Sequence, residues 1–476
     1  MSAPDARSSD APASARPTGD LATALRALLR PDQIDVSASA RALHARGESC
    51  DVTRLPDVVV YPESTDDVQR VMAHAYETGT PVTPVAINSS LEGHTVPLHG
   101  GISLDMTRMD RIVELVPQDF LAVVQPGVTY PKLNEALRAT GLFFTVDPGA
   151  EASLGGMAST NASGTMAVRY GVMGDLVLGL EVVTPTGRVI RTGGRSRKSS
   201  SGYALTRLFC GAEGTLGVIT ELTLRLSARP AAVMGTRLAF DTVSACVAFV
   251  AELIQSGASV ARCELVDRHA VRAIRDHLDL PLADAHTVFL EFHGDEAAVT
   301  SAAALAIELA HEHGSTAAET APDGDALRAL WRGRHQVFYG MVAAHPGMAN
   351  LVTDLAVPVS RLAEVIDASL ETVERIGLPG YVLGHVGDGN FHLTIFFPED
   401  DAEARARVSA AHAELVRLTL AAGGTCTGEH GIGLRKLPYV RAEHGDAVDL
   451  MWAIKDAFDP AGIMNPGKKL PPRDPH

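Results

Sequence analysis

The sequence predicts an α+β protein with more than one domain. Its 476 residues exceed the size at which a single hydrophobic core stops growing. The hydrophobic fraction of 46% is ordinary for globular proteins. Short β-branched runs and amphipathic helical segments also follow each other without a regular β-α alternation. We place a boundary at residues 227–230, because short strands dominate before it and longer helices after it.

The composition excludes several classes of function. A net charge of −16 repels phosphate backbones and anionic lipid, so nucleic acid is not expected as a partner. The five cysteines are scattered and contain no C-x-x-C pair, which is typical of reduced thiols in a cytosolic protein. The chain has no run of about 18 apolar residues that would predict a transmembrane helix. Residues 1–20 lack the apolar core of a signal peptide and are expected to be disordered. The prediction is a cytoplasmic protein.

The first elements form a predicted β-α-β unit. Residues 21–29 have the periodicity of an amphipathic helix, and residues 58–62 read as a buried strand. Ser64 is a suitable N-cap for the next helix, which is predicted to end at Gly79 in the left-handed conformation. Residues 81–85 then supply the second strand of the unit.

Short strands with glycine and proline between them fill the chain up to the boundary. One helix interrupts them at residues 130–141, with Pro131 in its first turn. The glycine-dense stretch 149–174 is predicted to be a long ordered loop that wraps a ligand. The predicted strands are 102–106, 111–116, 120–127, 178–187, 188–194 and 217–226.

The second half of the chain is predicted to be another α+β domain. Its strands are expected at residues 286–294 and 381–387, and no internal repeat is visible. The predicted helices are 243–257, 296–314, 360–377 and 446–459.

Two glycine-flanked clusters carry the strongest chemical signal. His385 and His392 lie on either side of a loop whose glycines allow both imidazoles to converge. A further ligand candidate lies in segment 428–433, which contains Glu429 and His430. Two histidines and a carboxylate leave coordination positions open, as in catalytic metal sites. The alternative is that these are loop histidines whose partners are backbone groups.

Three loops rich in small residues are candidates for binding a pyrophosphate. They lie at residues 84–93, 149–156 and 161–164. Successive backbone N–H groups in such loops form anion-binding nests. The alternative is that they are tight turns in a β-rich domain.

The residues also resemble a known family. The segments FTVDPGAEASLGGMASTNASG, CGAEGTLGVITELTLRL, LGHVGDGNFH and GTCTGEHGIG are similar to those of the FAD-dependent D-lactate dehydrogenases of the cytochrome type. These belong to the vanillyl-alcohol oxidase/p-cresol methylhydroxylase superfamily, beside glycolate oxidase and D-2-hydroxyglutarate dehydrogenase. The resemblance runs from about residue 50 to residue 470.

The resemblance implies a two-part FAD-binding domain of the p-cresol methylhydroxylase type at residues 21–230, with its core at 50–230. An α+β substrate/cap domain with a C-terminal helical segment would follow at residues 231–470, before a tail at 471–476. The residues implied to line FAD are Asn88, Ser89, Ser90, Gly93, Pro148, Gly149, Ser153, Gly155, Gly156, Asn161, Gly164 and Ile219.

The resemblance also assigns roles in catalysis. It makes His385, His392 and Glu429 ligands of a divalent zinc or manganese ion, and His430 the catalytic base. Arg334 matches a carboxylate-binding arginine, although a solvated charge on a helix surface is the alternative.

The implied reaction is the oxidation of a D-2-hydroxy acid, D-lactate above all, to the 2-oxo acid, with hydride transfer to flavin N5. The electron acceptor is expected to be a cytochrome, a quinone or an electron-transfer protein, which leaves peripheral membrane association open. A homodimer is also left open. The alternatives are a relative acting on glycolate or D-2-hydroxyglutarate, and a binding or scaffold subunit that has lost its flavin.

One loop departs from the family pattern. Relatives have G-x-G-T-S/G-L where this chain has Ala-Ile-Asn-Ser-Ser-Leu at residues 86–91. Positive φ costs Ala86 and Ile87 more than it costs glycine, whereas Asn88 tolerates it. The departure predicts weakened or locally rearranged FAD binding. His94 lies beyond this loop and outside any recognised linkage motif, so no covalent flavin link is predicted.

Overall fold

The structure is a computed structural model that describes residues 18–48, 50–278, 280 and 282–473. Residues 1–17 of the predicted disordered N-terminus, and residues 474–476 of the predicted tail, lie outside the described residues. Within the described ranges, secondary structure begins with a helix at Thr18.

A small four-stranded sheet with helices beside it comes first. The strand order is β1-β2-β4-β3, and β2 and β3 each pair in parallel with β4. The β-α-β prediction is confirmed, but β4 lies between its two strands. Ser64 caps the helix by accepting a hydrogen bond from Asp67 N, and Gly79 ends it at φ +62°. The elements are α1 (Thr18–Arg26), β1 (Ile34–Asp35), α2 (Ala38–Leu43), β2 (Val58–Val60), α3 (Thr65–Thr78), β3 (Val82–Val85) and β4 (Ile102–Asp105).

An antiparallel five-stranded sheet follows, in the order β5-β6-β10-β8-β9, and β7 pairs separately with β11. The elements are β5 (Ile112–Val116), β6 (Leu121–Val124), α4 (Tyr130–Ala136), β7 (Leu142–Phe143), α5 (Leu154–Thr160), α6 (Ala167–Tyr170), α7 (Met173–Leu176), β8 (Val177–Val183), β9 (Val189–Gly193), α8 (Leu205–Phe209), β10 (Val218–Arg225) and β11 (Ser227–Ala228).

The prediction of one long loop over residues 149–174 is wrong. This stretch contains α5 and α6 and the first residues of α7. Ser153 caps α5 by accepting a hydrogen bond from Gly156 N, so a local capping signal outweighs the low helix propensity of the glycines. Gly155 is required for packing, because a Cβ there would clash with Pro126.

An eight-stranded sheet dominates the second half, in the order β15-β12-β14-β13-β18-β19-β16, and β17 pairs with β19. Helices α10, α12, α13, α15 and α16 were not predicted from the sequence. The elements are β12 (Ala232–Phe240), α9 (Val243–Gln255), β13 (Val260–Val266), α10 (Arg268–Leu278), β14 (His286–Gly294), α11 (Glu296–Glu312), β15 (Ala317–Pro322), α12 (Asp325–His335), α13 (Val337–Ala344), β16 (Met348–Val352), β17 (Leu355–Ala356), α14 (Leu362–Ile376), β18 (Gly380–Gly384), β19 (Asn390–Pro398), α15 (Ala402–Ala421), α16 (Leu437–His444) and α17 (Ala447–Phe458).

Short 3₁₀ turns complete the secondary structure, and the chain end returns to the first sheet. The N–H group of Asn465 donates to Val82 O at 2.8 Å, so the segment after α17 packs beside β3. None of the helices in the described part of the chain is long and apolar enough to span a membrane. The 3₁₀ turns are Pro31–Gln33, Met106–Arg108, Pro117–Asp119 and Val359–Arg361.

Candidate active site

A cavity of about 720 Å³ lies where the loops of the first two sheets meet the large sheet. This volume is in the range of sites that enclose a cofactor or a small ligand. Its wall combines residues from loop 84–95, segment 147–165 and both glycine-flanked histidine clusters. The loops rich in small residues and the two histidine clusters are far apart in the chain. The fold therefore brings them together around one cavity.

Most of the residues implied to bind FAD belong to this wall. Gly149 is in open space, since a Cβ there would meet no atom within 4 Å. A glycine on a cavity wall with free space above it fits a bound planar or phosphate-bearing group. The implied residues in the wall are Asn88, Ser89, Ser90, Pro148, Gly149, Ser153, Gly155, Gly156 and Ile219.

Three of the implied residues lie behind the wall and hold the loops in place. Asn161 ends α5 at φ +56°, and its Oδ1 accepts a hydrogen bond from Gly174 N at 2.9 Å. A Cβ on Gly164 would lie 2.7 Å from Asp147 Oδ1. Gly93 has φ +78°, and a Cβ there would lie 2.7 Å from Cys50 Sγ. The structure therefore gives these three residues packing contacts within the chain.

The backbone of loop 86–91, which departs from the family pattern, is less strained than the sequence suggested. Asn88 has φ +62°, whereas Ala86 and Ile87 are not among the described residues with positive φ. The expected strain at Ala86 and Ile87 is therefore wrong. The Asn88 side chain donates to Arg46 O at 3.0 Å and accepts from Thr95 Oγ1 at 2.5 Å. Asparagine thus replaces glycine at the one position that needs the left-handed conformation.

Replacing Ala86 with glycine is expected to lower the stability of the protein without raising its affinity for FAD. Ala86 needs no positive φ, so Ala86→Gly adds freedom to the unfolded chain, at a cost of about 0.4–1 kcal/mol in the free energy of unfolding. It also removes a methyl group that packs against the core of the first sheet. Thermal unfolding and FAD titration of the apoprotein measure the two effects. A gain in FAD affinity would show that the alanine backbone is strained after all.

His94 also lines the cavity, and both of its ring nitrogens face protein groups. Its Nδ1 is hydrogen-bonded to Ser90 Oγ, and its Nε2 lies 3.4 Å from Glu213 Oε2. Burial lowers the pKa of His94, although the carboxylate of Glu213 opposes this effect. The side chain is therefore a buried imidazole that connects loop 84–95 to Glu213.

Two imidazoles and one carboxylate converge at one point of the cavity. Glu429 Oε1 lies 3.4 Å from His385 Nε2 and 3.2 Å from His392 Nε2. Ligands about 2.0–2.2 Å from a zinc ion lie about 3–3.6 Å from each other. The donor set and the two distances from Glu429 therefore fit a divalent ion. The ligand atoms that lie within 4.8 Å of one another include those of His392 and Glu429, but not that of His385.

The outer nitrogens of both histidines already have acceptors. His385 Nδ1 is 2.6 Å from Glu264 Oε1, and His392 Nδ1 is 3.0 Å from Thr353 O. Each Nδ1 therefore carries a hydrogen, and each Nε2 faces Glu429. Carboxylate and carbonyl partners of this kind orient metal-binding histidines in many proteins.

Asp354 lies close to the same cluster, but its oxygens are occupied. One ligand atom each of Asp354, His392, Glu429 and His430 lies within 4.8 Å of the others. However, Asp354 Oδ2 accepts from Thr427 Oγ1 at 2.7 Å and from the N–H groups of Glu429 and His430. A carboxylate oxygen offers about two lone pairs, so Asp354 supports the loop and is not the better ligand.

The carboxylates around the histidines favour positive charge in the cavity. Burial lowers the pKa of His385, but Glu264 and Glu429 outweigh it and raise this pKa well above its ordinary value. Burial raises the pKa of Glu429, but His385 and His392 outweigh it and lower this pKa. The two carboxylates on either side of His385 therefore favour positive charge in this part of the cavity.

Arg334 is not a solvated surface charge. It lies on α12, lines the cavity and has a side chain that is only 12% exposed. Its Nε and Nη2 both donate to Glu264 Oε2, at 2.9 and 2.6 Å. Because Glu264 also accepts from His385, one buried carboxylate joins the arginine to the candidate metal site.

The sequence analysis missed the buried carboxylates that support the site. Glu264 and Asp354 are fully buried, and Glu92 is 2% exposed. Glu264 and Asp354 are each the single acid of a largely apolar segment, ARCELV and LVTDLAV. A single acid among apolar residues is a signal that could have found both, because burying an unpaired charge is costly.

Comparison with known proteins shows the family of the chain. Residues 56–193 match a family model of the FAD-binding domain, and residues 229–469 match that of the C-terminal domain of FAD-linked oxidases. The chain is 39% identical to a probable mitochondrial D-lactate dehydrogenase of Danio rerio, over 94% of this chain and 91% of that protein. It is 38% identical to a mitochondrial D-lactate dehydrogenase (cytochrome) of Arabidopsis thaliana, covering 95% and 80%.

Other relatives and solved structures extend the comparison. Identity to the glycolate oxidase subunit GlcD of Bacillus subtilis is 31%, covering 95% of this chain and 97% of that one. The solved p-cresol methylhydroxylase has a TM-score of 0.79 at 17% identity, over 95% and 97% of the two chains, which confirms the predicted fold class. The chain therefore belongs to the FAD-linked oxidases, a flavoprotein family of oxidoreductases that includes the cytochrome-type D-lactate dehydrogenases.

Proposed function

We propose that this protein oxidises D-lactate, or a close D-2-hydroxy acid, to the 2-oxo acid with FAD as the oxidant. The observation that carries the proposal is the convergence of His385, His392 and Glu429 beside His430, in the cavity that the cofactor loops also line. The relatives named D-lactate dehydrogenase support the choice of substrate. We also propose the domain division of the sequence analysis, with the FAD-binding part at 21–230 and the substrate part at 231–470.

In this proposal, His385, His392 and Glu429 hold a zinc or manganese ion. Two imidazoles and a carboxylate suit either metal and leave coordination positions for a substrate. A bound divalent ion would supply Lewis acidity that lowers the pKa of the substrate hydroxyl, as it does for water. The hydrogen bonds from His385 to Glu264 and from His392 to Thr353 keep both rings in the ligating orientation.

His430 is proposed as the base. Its side chain lines the cavity, and its ring stacks on that of His392 with the centroids 5.2 Å apart. Its Nε2 lies 3.9 Å from Glu429 Oε1, so a hydroxyl held near Glu429 would be within reach. His430 is placed to take the hydroxyl proton. FAD, when bound by the loops of the cavity wall, would supply the two-electron oxidant, at its N5, for the hydride on C2.

Arg334 is proposed to orient the substrate carboxylate. Glu264 uses only Nε and Nη2 of the guanidinium, which leaves Nη1 for a substrate. A charge-assisted hydrogen bond from arginine to a carboxylate is about twice as strong as a neutral one and helps to fix its position. Holding the carboxylate fixes which hydrogen of C2 leaves, which favours one enantiomer.

The proposal includes an electron acceptor and a location. The names of the relatives make a cytochrome the first candidate for the acceptor, and a quinone or an electron-transfer protein stays as an alternative. The cytoplasmic location remains a prediction from the sequence alone. The relatives from Danio rerio and Arabidopsis thaliana do not support it, since both are named as mitochondrial. A homodimer also stays open.

A substrate panel tests the proposed function. The purified protein should show flavin absorbance, and D-lactate should reduce an artificial dye faster than L-lactate, glycolate or D-2-hydroxyglutarate does. Glycolate or D-2-hydroxyglutarate as the best substrate would replace the proposed substrate with that alternative. A colourless protein that takes up no added FAD would favour the scaffold function.

A further inference from the structure

Glu92 lies in loop 84–95, one of the loops proposed to bind the cofactor, and faces the imidazole of His430. Its Oε1 lies 3.6 Å from His430 Nδ1. That nitrogen is buried and makes no hydrogen bond to any residue in the described ranges. We propose that Glu92 is the positioning residue of His430, accepting the Nδ1 hydrogen so that Nε2 stays free to take the substrate proton. The inference rests on the proposed role of His430 as the base.

Glu92 is a better acceptor for this hydrogen than the other nearby carboxylate. Asp354 Oδ2 lies 3.9 Å from His430 Nδ1, but it already accepts from Thr427 Oγ1 and from two backbone N–H groups. Glu92 Oε1 has only Lys436 Nζ, at 3.1 Å, as a close partner among the described residues. A carboxylate oxygen has about two lone pairs. Glu92 Oε1 can therefore accept one more hydrogen bond, whereas Asp354 Oδ2 cannot.

Lys436 makes it possible to keep two carboxylates beside one imidazole. Its side chain is 1% exposed, and its Nζ lies 3.1 Å from Glu92 Oε1 and 3.2 Å from Asp354 Oδ2. Two buried carboxylates would repel each other strongly without such a cation. With Lys436 between them, Glu92 can remain an ionised acceptor next to His430.

The backbone holds Glu92 against the segment that carries His430. Glu92 O accepts a hydrogen bond from Leu434 N at 2.7 Å. Gly433 has φ +51°, and a Cβ there would clash with Glu92, so the two segments approach each other as closely as they can. The separation of 3.6 Å is longer than a hydrogen bond, but catalytic hydrogen bonds often shorten when the substrate binds.

The consequence is a fixed tautomer. A histidine acts as a base only through the nitrogen that lacks hydrogen, and the partner of the other nitrogen decides which one that is. A buried carboxylate in this position also stabilises the imidazolium that forms. Because Glu92 lies on the cofactor loop, the same residue links the position of the base to that of the cofactor.

The test compares Glu92→Gln with the wild-type holoenzyme in anaerobic flavin reduction by D-lactate. The glutamine amide can donate to Nδ1 and so favours the wrong tautomer. We expect the reduction rate to fall by about 10²-fold or more, with KM nearly unchanged and FAD and metal retained. Glu92→Asp keeps the charge and should recover part of the rate. If Glu92→Gln does not fold, Glu92→Asp is the variant that is measured.

Asp459→Asn is the matched control. Asp459 is another buried carboxylate paired with a buried lysine, with 2.5 Å between Lys455 Nζ and Asp459 Oδ2, and it does not line the cavity. Its replacement should lower the stability of the protein and leave the reduction rate of the loaded enzyme unchanged.

A double-mutant cycle separates positioning from general structural damage. If Glu92 acts through His430, Glu92→Gln should slow the His430→Ala variant no further. A Glu92→Gln enzyme as fast as the wild type would overturn the inference, and so would the same fold-loss in both backgrounds. A His430→Ala enzyme that reduces its flavin at the wild-type rate would instead refute the base itself, and with it this part of the proposed function.

Discussion

His430→Ala is expected to reduce the rate of flavin reduction by about 10²–10⁴-fold, the usual effect of removing a general base. The variant should keep its metal, because the proposed ligands are His385, His392 and Glu429. It should also keep FAD, since the cofactor loops of the cavity wall are untouched. Anaerobic stopped-flow measurement of flavin absorbance after mixing with D-lactate resolves a change of this size.

The control for this variant is another buried histidine. His412 on α15 packs edge-on against Tyr439, with the ring centroids 5.7 Å apart, and burial lowers its pKa to about 4. His412→Ala should lower the stability and leave the reduction rate per bound flavin unchanged. Equal losses of rate in the two variants would contradict the role of His430 as the base.

Glu429→Ala is expected to remove the metal and, with it, the ordered binding of substrate. Mutations of residues that merely support a metal ligand typically cost 10–100-fold in metal affinity or activity, so the loss of a proposed ligand should exceed this range. Elemental analysis after dialysis should find about one zinc or manganese ion per wild-type chain and none in the variant. Extraction of the wild type with a chelator should reproduce the loss of activity while the flavin stays bound.

Glu443→Ala provides the comparison. Glu443 Oε2 accepts a hydrogen bond from Cys426 N at 3.0 Å, so this residue supports the same segment of chain without facing the cavity. Its metal content should equal that of the wild type. Equal metal contents in Glu429→Ala and His430→Ala would refute the ligand role of Glu429, whatever the activities of the two variants.

The features that the sequence predicted well depend on near neighbours in the chain. Ser64 and Gly79 begin and end α3 as predicted, because capping depends on a few adjacent residues. Asn88 adopts the positive φ for which it was judged suitable. The family was also recognisable from continuous motifs such as GTCTGEHGIG. The glycine-dense stretch 149–174 was read wrongly, because capping and packing against Pro126 outweigh the propensity of glycine.

The sequence by itself therefore determined the family and the α+β class, and it pointed to the residues that we propose as metal ligands and base. Only the tertiary structure decided their partners. Glu264 and His385 are 121 residues apart, and they meet because β13 pairs antiparallel with β18, with Leu265 opposite Gly384. Likewise, Glu92 reaches His430 only because the first sheet's loop packs against segment 428–433. Strand order and register bring such residues together, and local sequence carries no record of either.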